Sequence, residues 1–221
     1  MTRLLILVEG QTEEIFVKQT LTPHLAQFGV CVQRPIVLWT KRVVSGGGYR
    51  GGVSNWNQIH TNLRPLIADS DAWITTILDF YGLPGDFPGL REALSPGDAR
   101  QKVQALQNRF AEAINHRRLI PFLALHEFEA WLFSAPDTVQ AHFELPQLAN
   151  CLRAAVVEAG APELMNHGLA THPKARLKGL IETYKETSDG PTLFAKIGLA
   201  AVRAECPHFD AWLCQLESLA P

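Results

Sequence analysis

The chain has 221 residues, of which 47% are hydrophobic and 19% charged, and this composition is typical of a globular protein. Its length favours one domain, or one domain with an appendage. The longest apolar runs cover residues 4–8 and 119–125 and are far too short to cross a bilayer. No signal peptide is expected at the start, and the four cysteines form no CxxC pair, so we expect reduced thiols and no zinc site. These features predict a cytoplasmic protein without a membrane partner.

Charged residues are distributed unevenly, although the net charge is only −2. Residues 15–68 contain six cationic side chains and no acidic one, whereas residues 69–98 contain six acidic side chains and a single arginine. Such blocks would suit a metal cluster beside a phosphate-binding surface. They are equally expected of solvated faces that interleave when the chain folds.

Hydrophobic patterning predicts strands and helices in alternation along the first 134 residues. The continuous apolar run of residues 4–8 indicates a strand buried on both faces. Further strands are predicted over residues 30–39, 72–78 and 119–125. Apolar residues at helical spacing predict the helices between them, with Thr12 and Asp98 as candidate N-caps and Gly29 as a stop. Right-handed crossovers then give an α/β fold, an open and mostly parallel sheet flanked by helices.

The rest of the chain, residues 135–221, is predicted to be a helical extension packed on this domain of residues 1–134. Candidate helices cover residues 146–159, 173–185, 191–203 and 208–219. Each begins at or next to a proline, where a missing backbone N–H costs least. The glycine-rich residues 45–52 predict a loop between the second strand and the second helix.

Acidic side chains follow three of the four predicted strands. Glu9 follows the first strand, Asp79 ends the third, and Glu127 and Glu129 follow the fourth. Open parallel sheets bind ligands beyond the carboxyl ends of their strands, and carboxylate oxygens suit Mg²⁺ or Mn²⁺. Each residue could instead be an ordinary acid at a helix start or in a turn. The pattern predicts a metal site at this edge, with a structural role as the alternative for each residue.

Four segments carry a resemblance to known proteins: residues 8–13 (VEGQTE), 79–84 (DFYGLP), 126–133 (HEFEAWLF) and 173–177 (PKARL). The first, placed after a buried strand, resembles the opening motif of the Toprim domain of topoisomerases, primases and the overcoming-lysogenization-defect nucleases. Together, the four resemble a bacterial family of Toprim-like proteins, domain-of-unknown-function family 4276, over nearly the full chain. This resemblance implies a Toprim-like sheet and metal-dependent phosphodiester chemistry.

The resemblance also implies roles for individual residues. Glu9 would act as the catalytic acid/base beside the metal, and Asp79 would hold Mg²⁺. Glu13 matches a second acid that the lysogenization-defect nucleases carry four residues after the first, and residues four apart share a helix face. The predicted ligands for Mg²⁺ or Mn²⁺, one ion or two, are Glu9, Glu13, Asp79, Glu127 and Glu129.

The sequence departs from the Toprim pattern at Tyr81, which occupies the position of the second metal-binding aspartate. A tyrosine is a poor Mg²⁺ ligand at neutral pH, and Asp86 is a candidate substitute. His126, next to Glu127, could bind metal or protonate a leaving group. It could also satisfy a hydrogen bond in the core.

Two basic segments are candidates for binding the phosphates of a nucleic acid. The candidate residues are Lys41, Arg42, Arg50, Lys174 and Arg176. The first three lie in or near the glycine-rich loop, where Tyr49 could stack on a base. The other two lie at a predicted helix start, where cations oppose the helix dipole and a bound phosphate would account for them. A solvated connector and a solubilising surface are the alternatives.

The sequence thus predicts a Mg²⁺- or Mn²⁺-dependent nuclease, or a related phosphodiester-processing enzyme, that acts on nucleic acid. The alternative is a non-catalytic module on a degenerate Toprim scaffold that binds nucleic acid or a protein partner, and Tyr81 favours it. A third hypothesis is nucleotide-directed phosphotransfer to a small molecule, which the near-neutral net charge permits.

Overall fold

A parallel sheet forms the centre of the fold. The computed structural model describes residues 1–38, 53–69, 71–93, 97–165, 168 and 170–219. Its strands are β1 (Thr2–Val8), β2 (Val30–Val32), β3 (Ile36–Val37), β4 (Trp73–Asp79), β5 (Leu119–Ile120) and β6 (Leu123–Ala124). The long strands β1 and β4 pair at the centre; β2 and β3 pair in turn with β1, and β5 and β6 with β4. All pairs are parallel, which confirms the predicted α/β class.

Two of the predicted strands are each divided in two by a proline. The single strand predicted over residues 30–39 is wrong, because the ladder stops at Val32 and resumes after Pro35. The strand predicted over residues 119–125 is interrupted at Pro121 in the same way. Proline has no N–H to donate to the ladder, so regular pairing cannot continue across it.

A threonine of the neighbouring strand bridges the second interruption. Thr76 Oγ1 accepts a hydrogen bond from the Phe122 N–H at 3.0 Å and donates one to the Phe122 carbonyl at 2.9 Å. Pairing then resumes in β6, with Asp79 opposite Ala124. Residues that follow β6 are thereby brought to the edge of the sheet where Asp79 lies.

Eleven helical segments surround the sheet in the described part of the chain. They are α1 (Gln11–Phe16), α2 (Thr22–Ala26), α3 (Trp56–Ile67), α4 (Leu90–Ala93), α5 (Ala99–Ile114), α6 (Pro136–Phe143), α7 (Leu148–Ala159), α8 (Pro173–Leu180), α9 (Glu186–Ile197), α10 (Leu199–Glu205) and α11 (Pro207–Glu217). A π-helical turn, Val17–Leu21, joins α1 to α2, and 3₁₀ turns cover Phe80–Gly82, Phe128–Ser134 and Pro162–Leu164. None of the described helices is both long and apolar enough to span a membrane.

Several predicted helix limits are wrong. The first helix begins after Gly10 rather than at Thr12, and the helix predicted over residues 173–185 ends at Leu180. The helix predicted over residues 191–203 is really two. Pro191 lies inside α9, and Gly198, with a φ of +81°, separates α9 from α10. A glycine with a positive φ commonly ends a helix. The boundary therefore lies at Gly198 and not at Pro191.

The C-terminal helices share a core with the sheet. One face of the sheet packs on α1, α2 and the helices that follow residue 134, and the other packs on α3 and α5. Trp212 of α11 donates from Nε1 to Thr75 Oγ1 at 2.9 Å, and this hydroxyl donates to the Ile120 carbonyl at 2.6 Å. These two hydrogen bonds therefore connect the last helix to the middle of β4.

Candidate functional site at the carboxyl edge of the sheet

The carboxyl ends of β1 and β4 meet through Glu9. Its backbone N–H donates to the Ile77 carbonyl at 3.1 Å, which prolongs the pairing of the two strands by one residue. Its side chain then turns across the edge, where Oε2 accepts from the Asp79 N–H at 3.0 Å. A β-carbon at Gly82 would lie only 3.0 Å from Glu9 Oε1, so glycine permits the turn after Asp79 to close over this carboxylate.

The start of α1 brings Glu13 to the same edge. The Gly10 N–H donates to Glu13 Oε2 at 2.9 Å, the side-chain half of a capping box. Glu13 therefore points back toward the end of β1, and only 8% of its surface is exposed. Burial raises the pKa of Glu13, and Glu9, which precedes the helix, comes close enough for its charge to raise that pKa further.

Glu127 follows β6 and is held by the start of α8. Its Oε1 accepts from the Lys174 N–H at 2.5 Å and lies 2.8 Å from His172 Nδ1. The same Nδ1 lies 3.4 Å from the Ala175 nitrogen, because His172 is the N-cap residue of α8. The helix N-terminus that we expected to bind phosphate thus receives a carboxylate of the protein itself, as helix dipoles favour.

Glu129 lies deeper, in the 3₁₀ turn that follows Glu127. It is 2% exposed, and its Oε1 accepts from the Tyr184 hydroxyl at 3.3 Å. Successive residues of this turn point in different directions, yet both glutamates face the region of α8 and the start of α9. We call Glu9, Glu13, Asp79, Glu127 and Glu129 the acidic cluster.

Four members of the acidic cluster have a raised pKa, and burial is the largest cause for each. Burial raises the pKa of Glu13 to about 7 and the pKa of Glu129 to about 7. It also raises the pKa of Glu9 and lifts the pKa of Asp79 well above its usual range. Repulsion adds to this, since the charges of the other four members all raise the pKa of Asp79. The structure therefore brings the five predicted metal ligands within electrostatic reach of one another.

Lys174 places a positive charge beside this cluster. Its Nζ lies 3.1 Å from Glu186 Oε2 and 3.9 Å from Glu127 Oε2. Burial alone would lower the pKa of Lys174, but the charges of Glu129, Glu127 and Glu186 outweigh burial and raise it. The ammonium also opposes the rise in pKa of three cluster members. Lys174 therefore acts as an internal counter-ion.

The cluster fits a hard cation in chemistry, because its donors are carboxylate oxygens with a surplus of negative charge. Within the described ranges, however, no three His, Cys, Asp or Glu side chains are grouped as metal ligands would be. Glu127 is occupied by His172 and Lys174 instead. Cation binding would therefore require some of these side chains to turn toward the ion.

Tyr81 and His126 form a ring pair next to the cluster. Their ring centroids are 4.7 Å apart and their planes differ by 26°, so the rings are stacked. His126 is 4% exposed. Asp86, the candidate substitute ligand, accepts from the Trp56 N–H at 2.8 Å and caps α3 instead.

The basic candidates have varied surroundings. Arg176 donates from Nε to the Thr171 carbonyl at 2.7 Å and pairs through a terminal nitrogen with Glu158 at 2.9 Å. Lys174 is engaged as described above. The other three candidates, Lys41, Arg42 and Arg50, lie outside the described residues, as does Tyr49.

Sequence reasoning missed the partners that α8 and α9 contribute. His172, Tyr184 and Glu186 contact the cluster or its counter-ion, yet His172 lies 45 residues beyond Glu127 and Tyr184 lies 55 residues beyond Glu129. The PKARL segment was the available signal, because it marked α8 as part of the site. Nothing in the sequence indicated which residues of α9 would reach it.

These features define a parallel α/β protein with buried carboxylates at the carboxyl edge of its sheet. The chain belongs to the family described as Domain of unknown function (DUF4276), which matches residues 8–217. None of the curated proteins is similar enough in sequence to match.

Two solved structures are similar over the whole length. The C-terminal region of the Burkholderia pseudomallei OLD protein is 18% identical over 100% of both chains, with a TM-score of 0.47. The C-terminal region of the Xanthomonas campestris pv. campestris OLD protein is 15% identical over 97% of this chain and 98% of that one, with a TM-score of 0.36. At these values the two likenesses carry no argument about function.

Proposed function

We propose that this protein is a Mg²⁺- or Mn²⁺-dependent nuclease, or a related phosphodiester-processing enzyme of the Toprim type, that acts on nucleic acid. The acidic cluster is the observation that supports this most directly. Gathering acids from the ends of β1, β4 and β6 raises their pKa values and costs stability whenever they are ionised. A purely structural role gives no reason for that cost, whereas a bound cation would offset it.

In this proposal Glu9, Asp79 and Glu127 hold the cation, with Glu13 and Glu129 beside them. The cation would stabilise charge on the attacking and leaving oxygens of a phosphodiester. Burial raises the pKa of Glu9, which makes this carboxylate a stronger base than an exposed glutamate. The hydrogen bond from the Asp79 N–H to Glu9 Oε2, at 3.0 Å, fixes the orientation of the Glu9 carboxylate. Arg176, at the start of α8, would meet the phosphates of the substrate, whereas Lys174 would have to leave the three acids around it to do so.

A cleavage assay with a matched pair of variants tests the proposal. We expect weak cleavage of DNA or RNA that is faster in Mn²⁺ than in Mg²⁺, since Mn²⁺ binds a given site more tightly. Glu9→Gln should abolish it, because an amide neither accepts the proton nor carries charge to the metal. Glu14→Gln is the control, since Glu14 lies in α1, close to Glu9 in sequence, but pairs with Lys18 at the surface. Equal activity of Glu9→Gln and wild type would assign the cleavage to a contaminant.

A non-catalytic binding module is the second candidate, and two observations favour it. Tyr81 replaces a Toprim metal ligand, and the described side chains form no ready metal site. In that case neither DNA nor RNA is cleaved in Mn²⁺, but nucleic acid still shifts in a gel. Mn²⁺ would then leave the melting temperature unchanged, whereas binding to the folded protein should raise it by linkage.

A further inference from the structure

Tyr81 is an exposed aromatic residue beside a mostly buried site. The residue is 37% exposed, whereas His126, whose ring stacks on that of Tyr81, is 4% exposed. Phe80, also 4% exposed, packs against the Tyr81 ring with centroids 4.7 Å apart. Two buried rings therefore support one exposed ring and fix its orientation.

The register of the sheet places this ring pair beside the acidic cluster. Asp79 and Ala124 are direct partners in β4 and β6, and Tyr81 and His126 each follow by two residues. Tyr81 lies in the turn that closes over Glu9, and His126 precedes Glu127. The exposed ring is thus flanked along both chain segments by carboxylates that we assign to the reaction.

We propose that Tyr81, supported by His126, is a stacking platform for an unpaired nucleobase, so that the protein prefers single-stranded to double-stranded nucleic acid. This inference rests on the proposed function and specifies its substrate. Every base, whatever its identity, presents a π-face that can stack on an aromatic ring. A ring that is already held in place loses little conformational entropy when it binds the base. In a duplex each base is stacked on its neighbours, so the ring would select unpaired nucleotides.

The electrostatics of the ring agree with such a role. A tyrosine hydroxyl is neutral near pH 7, so the ring adds no negative charge to the acidic surroundings. An aspartate at this position would bind metal but could not stack. Tyrosine in place of the Toprim aspartate would therefore remove one metal ligand and provide a ring on which a base can stack.

Equilibrium binding to matched oligonucleotides tests the platform. Fluorescence anisotropy would compare a labelled single strand with the duplex of the same sequence, in Ca²⁺ and with the full chain. Tyr81→Leu should weaken single-strand binding by roughly 5- to 150-fold, the value of one stacked base, and change duplex binding little. Tyr81→Phe should bind as wild type does, because it keeps the ring.

Phe28→Leu is the matched control. Phe28 is 38% exposed and lies against His24, with ring centroids 5.2 Å apart. It precedes Gly29, which pairs with Thr2 at the opposite, amino end of β1, so its loss should not affect binding. A 2-aminopurine single strand gives a readout that needs no variant, since stacking on Tyr81 should quench its fluorescence in wild-type complexes.

The outcomes separate this inference from the proposed function. If Tyr81→Leu binds single strands as tightly as wild type, and 2-aminopurine is not quenched, the platform is wrong while the nuclease proposal stands. If Tyr81→Leu loses single-strand binding but wild type never cleaves, the platform stands and the nuclease proposal falls. If the wild-type protein binds both oligonucleotides with equal affinity, or binds neither of them, the platform proposal is wrong.

Discussion

Removing the buried charge of Glu129 should stabilise the protein, and the gain should grow with pH. The pKa of Glu129 is about 7 in the folded protein, because of burial, against an ordinary value of 4.5. The folded state therefore binds this proton more tightly than the unfolded state. The stability that the proton contributes is complete below pH 4.5 and is lost as the pH rises through 7. Once Glu129 is ionised, the free energy of unfolding is lower by about 3 kcal/mol than when this side chain is protonated.

Glu129→Gln removes this pH dependence and keeps an oxygen for the Tyr184 hydroxyl, which donates at 3.3 Å. Between pH 5 and pH 8 the variant should gain about 2.5 kcal/mol of stability relative to wild type. For a chain of this size that is roughly 5–10 °C in melting temperature. Thermal and urea unfolding in EDTA at both pH values would measure it.

Glu112→Gln is the control, because Glu112 is a surface acid paired with Arg109. Exposed pairs contribute little, so its effect should be small and similar at both pH values. A Glu129→Gln stability difference that is the same at pH 5 and pH 8 would refute the argument. It would mean that Glu129 is neutral, or solvated, throughout this range.

Two further substitutions test the cluster and the fold separately. Asp79→Asn should raise the melting temperature in EDTA at pH 8, because the charges of the other four cluster members all oppose an ionised Asp79; a large loss would make Asp79 structural. Thr75→Val should lower stability by about 1–3 kcal/mol, because it leaves the Trp212 N–H without its acceptor in the core. An unchanged urea midpoint for Thr75→Val would show that the bridge contributes nothing.

The class of fold could be predicted because it depends on local patterns. The buried run of β1, the capping Asp98 of α5 and the alternation of elements are all visible in neighbouring residues. The two broken strands were not predicted, although Pro35 and Pro121 are in the sequence. A proline can end a strand or interrupt it, and which occurs depends on partners such as Thr76 from another strand.

The acids of the site could also be predicted, because the carboxyl ends of parallel strands meet at one edge. Their electrostatic environment could not, since it depends on long-range contacts. Lys174 is about 47 residues beyond Glu127 in sequence, and only the packing of α8 places its charge there. The prediction that Lys174 faces phosphate treated a cation at a helix start as free of partners, and the structure shows three acids around it.

Cation binding to the acidic cluster should depend on pH, because protons and the Lys174 ammonium both neutralise its carboxylates. The pKa values of about 7 for Glu13 and Glu129, set mainly by burial, mean that the cluster holds bound protons below neutral pH. In this state Lys174 and the protons together limit the repulsion. A divalent cation needs the carboxylates ionised, so it must displace those protons, and its affinity should rise with pH. It must also compete with the Lys174 ammonium for Glu127, 3.9 Å away. The same buried charges that destabilise the cation-free protein at pH 8 would then supply the affinity for a cation.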